Sequence, residues 1–420
     1  MKLMVLSVML VCVGMRMCVA NGGELSAMPR ISVREGRFVL GQTGKEFHPR
    51  GFNYIRLRPT WHGTFAPKLY DANRAEAMFA DLEAGGFNIV RVFIDHAAGE
   101  GVVASREAEE LSPKFMANFL DFLNRARRHG IRVVPSLIHL PSCKRYNDML
   151  GKPPKDVAGV NLMYLHQGHI DAKARYAADF ASAVKTADPS LLTTIFAYEL
   201  DNETHLSAAA PPFSTTEGKI ASADSKTYDL SSEQDLQRMA DENVALWADA
   251  CVQAVRKVDP EAMVSTNVFT FAAVGRSGPA RLRTDKTKDH RFPARPLALT
   301  KTKLSYIDVH FYPFDENTLD RDLKSIEFDA LKEACKGRGL PLVMGEFGAF
   351  RGPYKTVTAA AEAMTRHLKR IHDLGFAGYM YWTYDTDEQK ELWNAKSEGG
   401  VILKALAGMH GAQGASGEKM

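Results

Sequence analysis

Between residues 50 and 382, short β-rich runs alternate with longer stretches whose apolar positions recur at helical spacing. The runs lie at 50–54, 88–93, 132–137, 193–198, 262–266, 306–310, 340–344 and 377–382. Helical patterns occupy 72–84, 113–129, 170–187, 233–258, 319–336 and 358–374, with a further one at 388–396 after the eighth run. Gly85, Gly86, Gly130 and Gly375 stand where helix ends are expected. The fifth interval, 269–303, is irregular and rich in Arg, Lys and Pro, so its helix is expected to be short or missing. Ahead of the first run, alternation around Gly36 and Gly44 predicts a short β-hairpin packed onto the larger body. Eight parallel strands joined by right-handed helical crossovers close most economically into a (β/α)8 TIM barrel, and a doubly wound open sheet is the alternative. The long intervals 140–169, 204–232 and 269–303 all follow strands and precede helices. In a barrel they are enlarged βα loops on the C-terminal face, where barrel chemistry sits.

Composition narrows the class. With 45% hydrophobic and 25% charged residues in a chain of 420, disordered, fibrous and multi-span membrane proteins are excluded. Lys and Arg number 53 against 50 Asp and Glu without a long basic run, so neither nucleic acid nor an anionic membrane surface is an expected partner. Residues 1–20 read as a cleavable signal peptide: Lys2 precedes an apolar run too short to span a bilayer, and small residues follow up to Ala20. Its removal leaves a formal charge of +1 and three cysteines, Cys143, Cys251 and Cys335, too few for a disulfide scaffold. The expected organisation is a signal peptide at 1–20, one barrel at 30–407 and a flexible tail at 408–420, exported to the periplasm or medium as a monomer that does not bind membranes once cleaved.

In a barrel, polar residues at the C-terminal ends of strands are the candidates for chemistry. The fourth run leads into Glu199-Leu-Asp-Asn-Glu203, and the seventh ends in Gly345-Glu346. Glutamates on strands four and seven face each other across the mouth, and paired carboxylates flanking a glycosidic bond are what glycoside hydrolysis requires. Around them stand Arg91 in the second run, His139 after the third, Asn202 beside Glu203, His310 and Tyr312 at the sixth, and Trp382 at the end of the eighth. Glu199 and Asp201 read as structural, with Glu199 pointing into the barrel or its wall and needing a partner there. Trp61, Tyr146, Tyr164, Phe269, Phe314, Tyr384 and Trp393 are candidate stacking platforms for sugars, packing being the competing role of each. His166 and His169 lack the spacing of a metal frame, so no metal is expected.

From about residue 30 to 405 the chain resembles glycoside hydrolase family 5, retaining β-glycanases of the barrel fold. The resemblance rests on Arg91, His139, Asn202-Glu203, His310-Phe-Tyr312, Glu346 and Trp382, in order and at strand ends. It implies Glu203 as acid/base, Glu346 as nucleophile, Arg91 and Tyr312 hydrogen-bonded to Glu346, Asn202 on the sugar 2-hydroxyl, His139 and His310 lining the cleavage subsite, and Trp382 beneath the sugar ring. Thr204 follows Glu203 where such families often carry Pro, and a long insertion begins there. The implied substrate is a neutral β-mannan or β-glucan, cleaved in the manner of an endo-β-1,4-glucanase or endo-β-mannanase, with no cofactor. The alternatives are a non-catalytic carbohydrate-binding barrel and an exo-acting β-glycosidase on short oligosaccharides. A metal-dependent barrel hydrolase ranks third.

Overall fold

Asp71 accepts the backbone N–H groups of Asn73 and Arg74 and so starts the helix Ala72–Ala84, whose Ala75, Met78, Phe79 and Leu82 turn inward at intervals of three and four. Ser112 caps Pro113–Arg128 and Ser232 caps Glu233–Val258 in the same way. These helices cover strands that are buried on both faces, as in Ile89–Phe93 and Arg132–Ser136, which is the mark of a parallel sheet enclosed by helices. The structure, a computed structural model, describes residues 27–313 and 323–414.

The barrel strands are Arg50–Tyr54, Ile89–Phe93, Arg132–Ser136, Tyr198–Glu199, a fifth in two pieces, Ile307–His310, Leu342–Phe347 and Gly378–Tyr381. Strand five breaks at Thr266: Val264–Ser265 pairs with strand four, and Asn267–Phe269 pairs with strand six. All pairings around the ring are parallel, and the break closes it into a (β/α)8 barrel. The expected hairpin is a three-stranded antiparallel sheet, Ile31–Arg34, Arg37–Leu40 and Lys45–Glu46. It plugs the N-terminal end of the barrel, where Ile31 and Phe38 join Ile89, Val134, Phe196, Met263 and Val343 in one apolar cluster. The opposite end is thereby left as the open face.

Several boundaries depart from the sequence pattern. Strands five and seven run on to Phe269 and Phe347. Strand four is shorter than 193–198, because Asp188 caps a 3-10 turn over Pro189–Thr193 and the Thr193 hydroxyl bonds back to Ser190. The helix expected at 319–336 runs over Ile326–Arg338 behind its Ser325 cap, and 319–322 lie outside the described residues. No helix forms at 388–396: Leu392–Trp393 pairs with Ala349–Phe350 instead, and the Trp393 indole donates to the Tyr354 carbonyl. The last helix is Ser397–Gly414, so the expected tail from 408 is helical as far as 414, with Leu406 buried and Met409 packed on the core. The signal-peptide segment and 415–420 lie outside the described residues.

The three long loops lock together. Leu206–Ser207 pairs antiparallel with Arg291–Phe292, zipping the loop after strand four to the loop after strand five. Asn161, from the loop after strand three, donates its amide to the carbonyls of Ser207, Ala210 and Pro211 and accepts from the Ser207 N–H at 2.7 Å. In the fifth interval the only α-helical turn is the short Pro296–Leu299. Cys143, Cys251 and Cys335 are buried and unpaired.

The barrel plug gives a stability test. Phe38 meets Phe196 at 5.0 Å and Tyr306 at 5.5 Å between ring centroids. Phe38→Ala is expected to lower unfolding free energy by about 3 kcal/mol, as for other buried Phe truncations. Urea unfolding measures this, and an unchanged midpoint would show that the plug does not support the barrel.

Candidate active site

A guanidinium placed in an apolar strand must be paired or it destabilises the fold. Arg91 is fully buried on strand two, and all its faces are engaged. Its Nε lies 2.9 Å from both Glu199 oxygens, while Nη1 donates to Asn53 Oδ1 at 2.8 Å and to Glu346 Oε1 at 2.6 Å. Nη2 reaches Glu199 and, at 2.7 Å, Asn202 Oδ1. Burial opposes the positive charge, and Glu199 and Glu346 more than restore it. One cation therefore gathers strands one, two, four and seven.

Glu203 follows strand four in a left-handed turn, at φ 51°. That turn is braced from strand five: the Glu203 N–H donates to the Asn267 side-chain oxygen, and the Asn267 amide reaches the Asp201 carbonyl at 3.3 Å. The Asp201 carboxylate accepts the N–H groups of Asn202 at 2.8 Å and His139 at 2.9 Å. A buried backbone with this curvature requires such partners, and the side chains supply them.

Glu346 accepts from Arg91 on one oxygen and from the Tyr312 hydroxyl, at 2.6 Å, on the other. Gly345 precedes it because a Cβ there would lie 2.3 Å from an Asp308 carboxylate oxygen, and the Gly345 N–H donates to that oxygen at 2.8 Å. Gly348 likewise leaves room for the Trp382 carbonyl and the Tyr312 ring. Fully buried His310 sets Nδ1 3.3 Å from Glu203 and 3.5 Å from Glu346, and burial lowers its pKa to about 4, which makes it a neutral imidazole. Glu203, His310 and Glu346 each bring one ligand atom within 4.8 Å of the others. Such a trio can hold a cation in principle, but the Glu346 oxygen facing it is already bound by Arg91, whose own charge opposes a second one.

Burial raises both glutamate carboxyls above the usual carboxylate range. Against that, Arg91 and the Tyr312 hydrogen bond favour the ionised form of Glu346. Glu203 is countered chiefly by Arg291, which approaches only to 3.8 Å, and more weakly by Arg91. The two carboxyls thus differ in kind: one receives two short hydrogen bonds, the other is set in a partly open turn.

Of the remaining sequence candidates, Asn202 stands beside Glu203 with its carbonyl oxygen on Arg91, leaving its amide nitrogen free of that contact. Trp382 lies over Phe93, its indole N–H fixed to Gln389 at 2.6 Å. The half-exposed His139 ring packs edge-on against His96 at 4.8 Å and sets Nδ1 3.8 Å from the Asp201 carboxylate. Among the platform candidates Trp61 is exposed at 55%, whereas Tyr146, Tyr164, Phe269, Tyr384 and Trp393 are core residues and Phe314 lies outside the described residues. Sequence inspection missed Asn53, Asn267, Asp308 and Arg291. Asn53 and Asp308 carried a usable signal, a polar residue inside an apolar strand run; Arg291 carried none, because its place depends on pairing between two loops.

A parallel eight-stranded barrel with two facing glutamates at the ends of strands four and seven defines the chain as a barrel glycoside hydrolase. The pattern for cellulase (glycosyl hydrolase family 5) matches residues 40–388, and the chain belongs to that family. Among solved structures, an endo-1,4-β-mannanase from Rhizomucor miehei is 14% identical with a TM-score of 0.59, covering 91% of this chain and 99% of its own. The exo-β-1,4-mannosidase Op5Man5 from Opitutaceae bacterium strain TAV5 is 17% identical, TM-score 0.56, over 91% of this chain and 62% of its own. A hyperthermostable endo-1,4-β-D-mannanase from Thermotoga petrophila RKU-1 is 12% identical, TM-score 0.56, over 86% and 100%. No curated protein matches the sequence.

Asp308 offers a pH test. Burial, and then the charge of Glu199, push its carboxyl well above the ordinary range, and one of its oxygens has no hydrogen-bond partner among the described residues. A carboxyl raised in the folded state stabilises fully below its unfolded pKa, and that stability is lost as pH rises towards the folded value. Asp308→Asn removes this dependence, so its unfolding free energy is expected to gain on wild type from about pH 4 upward. Unfolding curves at several pH values measure it; a difference independent of pH would contradict the assignment.

Proposed function

We propose that the enzyme is an exported retaining β-glycanase that cleaves a neutral β-mannan or β-glucan by double displacement, with Glu203 as acid/base and Glu346 as nucleophile. The observation that carries this reading is the closeness of the two carboxyls, with an oxygen of each within 4.8 Å, in unlike surroundings. Retaining pairs sit about 5–5.5 Å apart, whereas inverting pairs need room for a water between them. Glu346, held by Arg91 and Tyr312, attacks the anomeric carbon while Glu203 gives its proton to the leaving oxygen. Glu203 then takes a proton from water, which attacks the same carbon and frees Glu346.

Each remaining group has a part. The Asn202 amide is available to the sugar 2-hydroxyl, where hydrogen bonding strengthens in the oxocarbenium-like transition state. Neutral His310 lines the cleavage subsite without competing for Glu346 as a cation, Trp382 forms the floor under the sugar, and Trp61 offers a face to a further sugar. His139 serves the outer edge of that subsite, next to His96. The mannan-active names of structural neighbours favour mannan over glucan. A mature formal charge near +1 suits a neutral glycan, and the apolar segment ending at Ala20 supports export. An intact glutamate pair weighs against a non-catalytic sugar-binding barrel.

Rising pH strips the proton from Glu203 and closes the alkaline limb of kcat/KM; falling pH protonates Glu346 and closes the acid limb. Glu203→Ala is expected to lose about 10²-fold or more on polysaccharide. It should lose much less on an activated aryl β-glycoside, whose leaving group needs no proton, while Glu346→Gln loses both. Equal losses for Glu203→Ala on the two substrates, or products first formed with inverted anomeric configuration, would overturn the assignment.

A further inference from the structure

The loop after strand five is strongly basic, with nine Lys or Arg against two Asp over 269–303. Three of its guanidinium groups have structural partners: Arg276 donates to the carbonyls of Asp289 and Arg291, Arg283 to those of Thr215 and Leu230, and Arg295 pairs with Asp241. Arg291 is different. Its Nε and Nη2 are clamped by Asp289 at 2.6–3.0 Å, its Cζ sits 4.4 Å above the centre of the Phe269 ring, and Nη1 is directed to Glu203 Oε2 at 3.8 Å, beyond hydrogen-bond range.

Its position is not left to a mobile loop. Arg291 pairs with Ser207 and Phe292 with Leu206, and the Ala208 N–H donates to the His290 carbonyl at 2.8 Å. Leu206 is three residues beyond Glu203, so the strand that carries Arg291 is in register with the segment that carries the acid/base. This is the insertion that begins where Thr204 replaces the family's usual Pro. A ribbon of this kind supplies a fixed charge where a loop alone would supply a wandering one.

We propose that Arg291 acts through Glu203 as a positioning residue: clamped by Asp289 and seated on Phe269, its guanidinium presents a fixed positive charge to the carboxyl that gives up and takes back the proton. The inference rests on the acid/base reading of Glu203. The other charged or titratable groups facing Glu203 are Glu346 and His310 on the strand ends, Arg91 below, His205 beside it and Asp289 behind the clamp. Among the charges around Glu203, that of Arg291 most strongly opposes the effect of burial on its carboxyl. Without it, Glu203 holds its proton to higher pH.

The test is the pH profile of kcat/KM for wild type, Arg291→Gln and Arg291→Lys on an oligosaccharide with an unactivated leaving group. Arg291 is partly exposed, and unchanged thermal unfolding checks that both variants fold. One pH unit above the wild-type alkaline midpoint, Arg291→Gln is expected to retain about two to three times the wild-type fraction of its own maximal rate, with the acid limb in place. Arg291→Lys keeps the charge and moves back towards wild type. An alkaline limb that stays put, with both variants losing activity evenly across pH, overturns the proposal. Labelling of wild-type Glu346 by an activated 2-fluoro glycoside separately tests double displacement: intact labelling with an unmoved limb defeats Arg291 alone, and absent labelling defeats the nucleophile reading.

Discussion

A single buried cation organises this active face. Arg91 would be intolerable in an all-apolar strand unless every donor were met, and the groups that meet them come from strand one (Asn53), the end of strand four (Glu199, Asn202) and strand seven (Glu346). Such a network is costly when half complete, so the fold and the site are specified together: the residues that neutralise Arg91 are also those that aim the glutamates. Glu199 supplies the structural counter-charge, which leaves Glu346 one oxygen on Arg91 and the other on Tyr312. Glu346 is therefore not left to balance the buried guanidinium alone.

The second constraint is asymmetry between the glutamates. Glu346 lies on strand seven, where the pairing register shifts between Met344 and Phe347, and is gripped from two sides, whereas Glu203 sits in a left-handed turn held by Asn267 and Asp201 through its backbone. A braced backbone and a freer carboxyl suit the acid/base role proposed for Glu203, in which the carboxyl exchanges protons twice per turnover. The loops after strands three, four and five, tied by Asn161 and by the Leu206–Ser207 ribbon, surround that group and bring Arg291 to it.

Much of this was legible from sequence because the relevant signals are local. Helices with Ser, Thr or Asp caps and clean apolar stripes, such as Ala72–Ala84 and Glu233–Val258, fall where periodicity places them. Glu203 and Glu346 stand at strand ends in local contexts that point at them. What escaped depends on distant partners. Thr193 looks like strand but turns, because Asp188 and Pro189 precede it. The segment 388–396 has helical spacing, yet Leu392 and Trp393 gain more by pairing with Ala349 and Phe350 and by burying the indole. Of the aromatic residues proposed as platforms, Tyr146, Tyr164, Phe269, Tyr384 and Trp393 look no different in sequence from core residues, and only packing shows their faces covered.

The central claim is that Arg91 and its carboxylates form one unit, and a double-mutant cycle on Arg91 and Glu199 tests it most directly. Removing only the cation strands a buried carboxylate, so Arg91→Met should destabilise by about 3–5 kcal/mol. Adding Glu199→Leu should recover a large part of that loss while activity stays absent, because Glu346 is still without its donor. Unfolding free energies that simply add across the two substitutions would contradict the account.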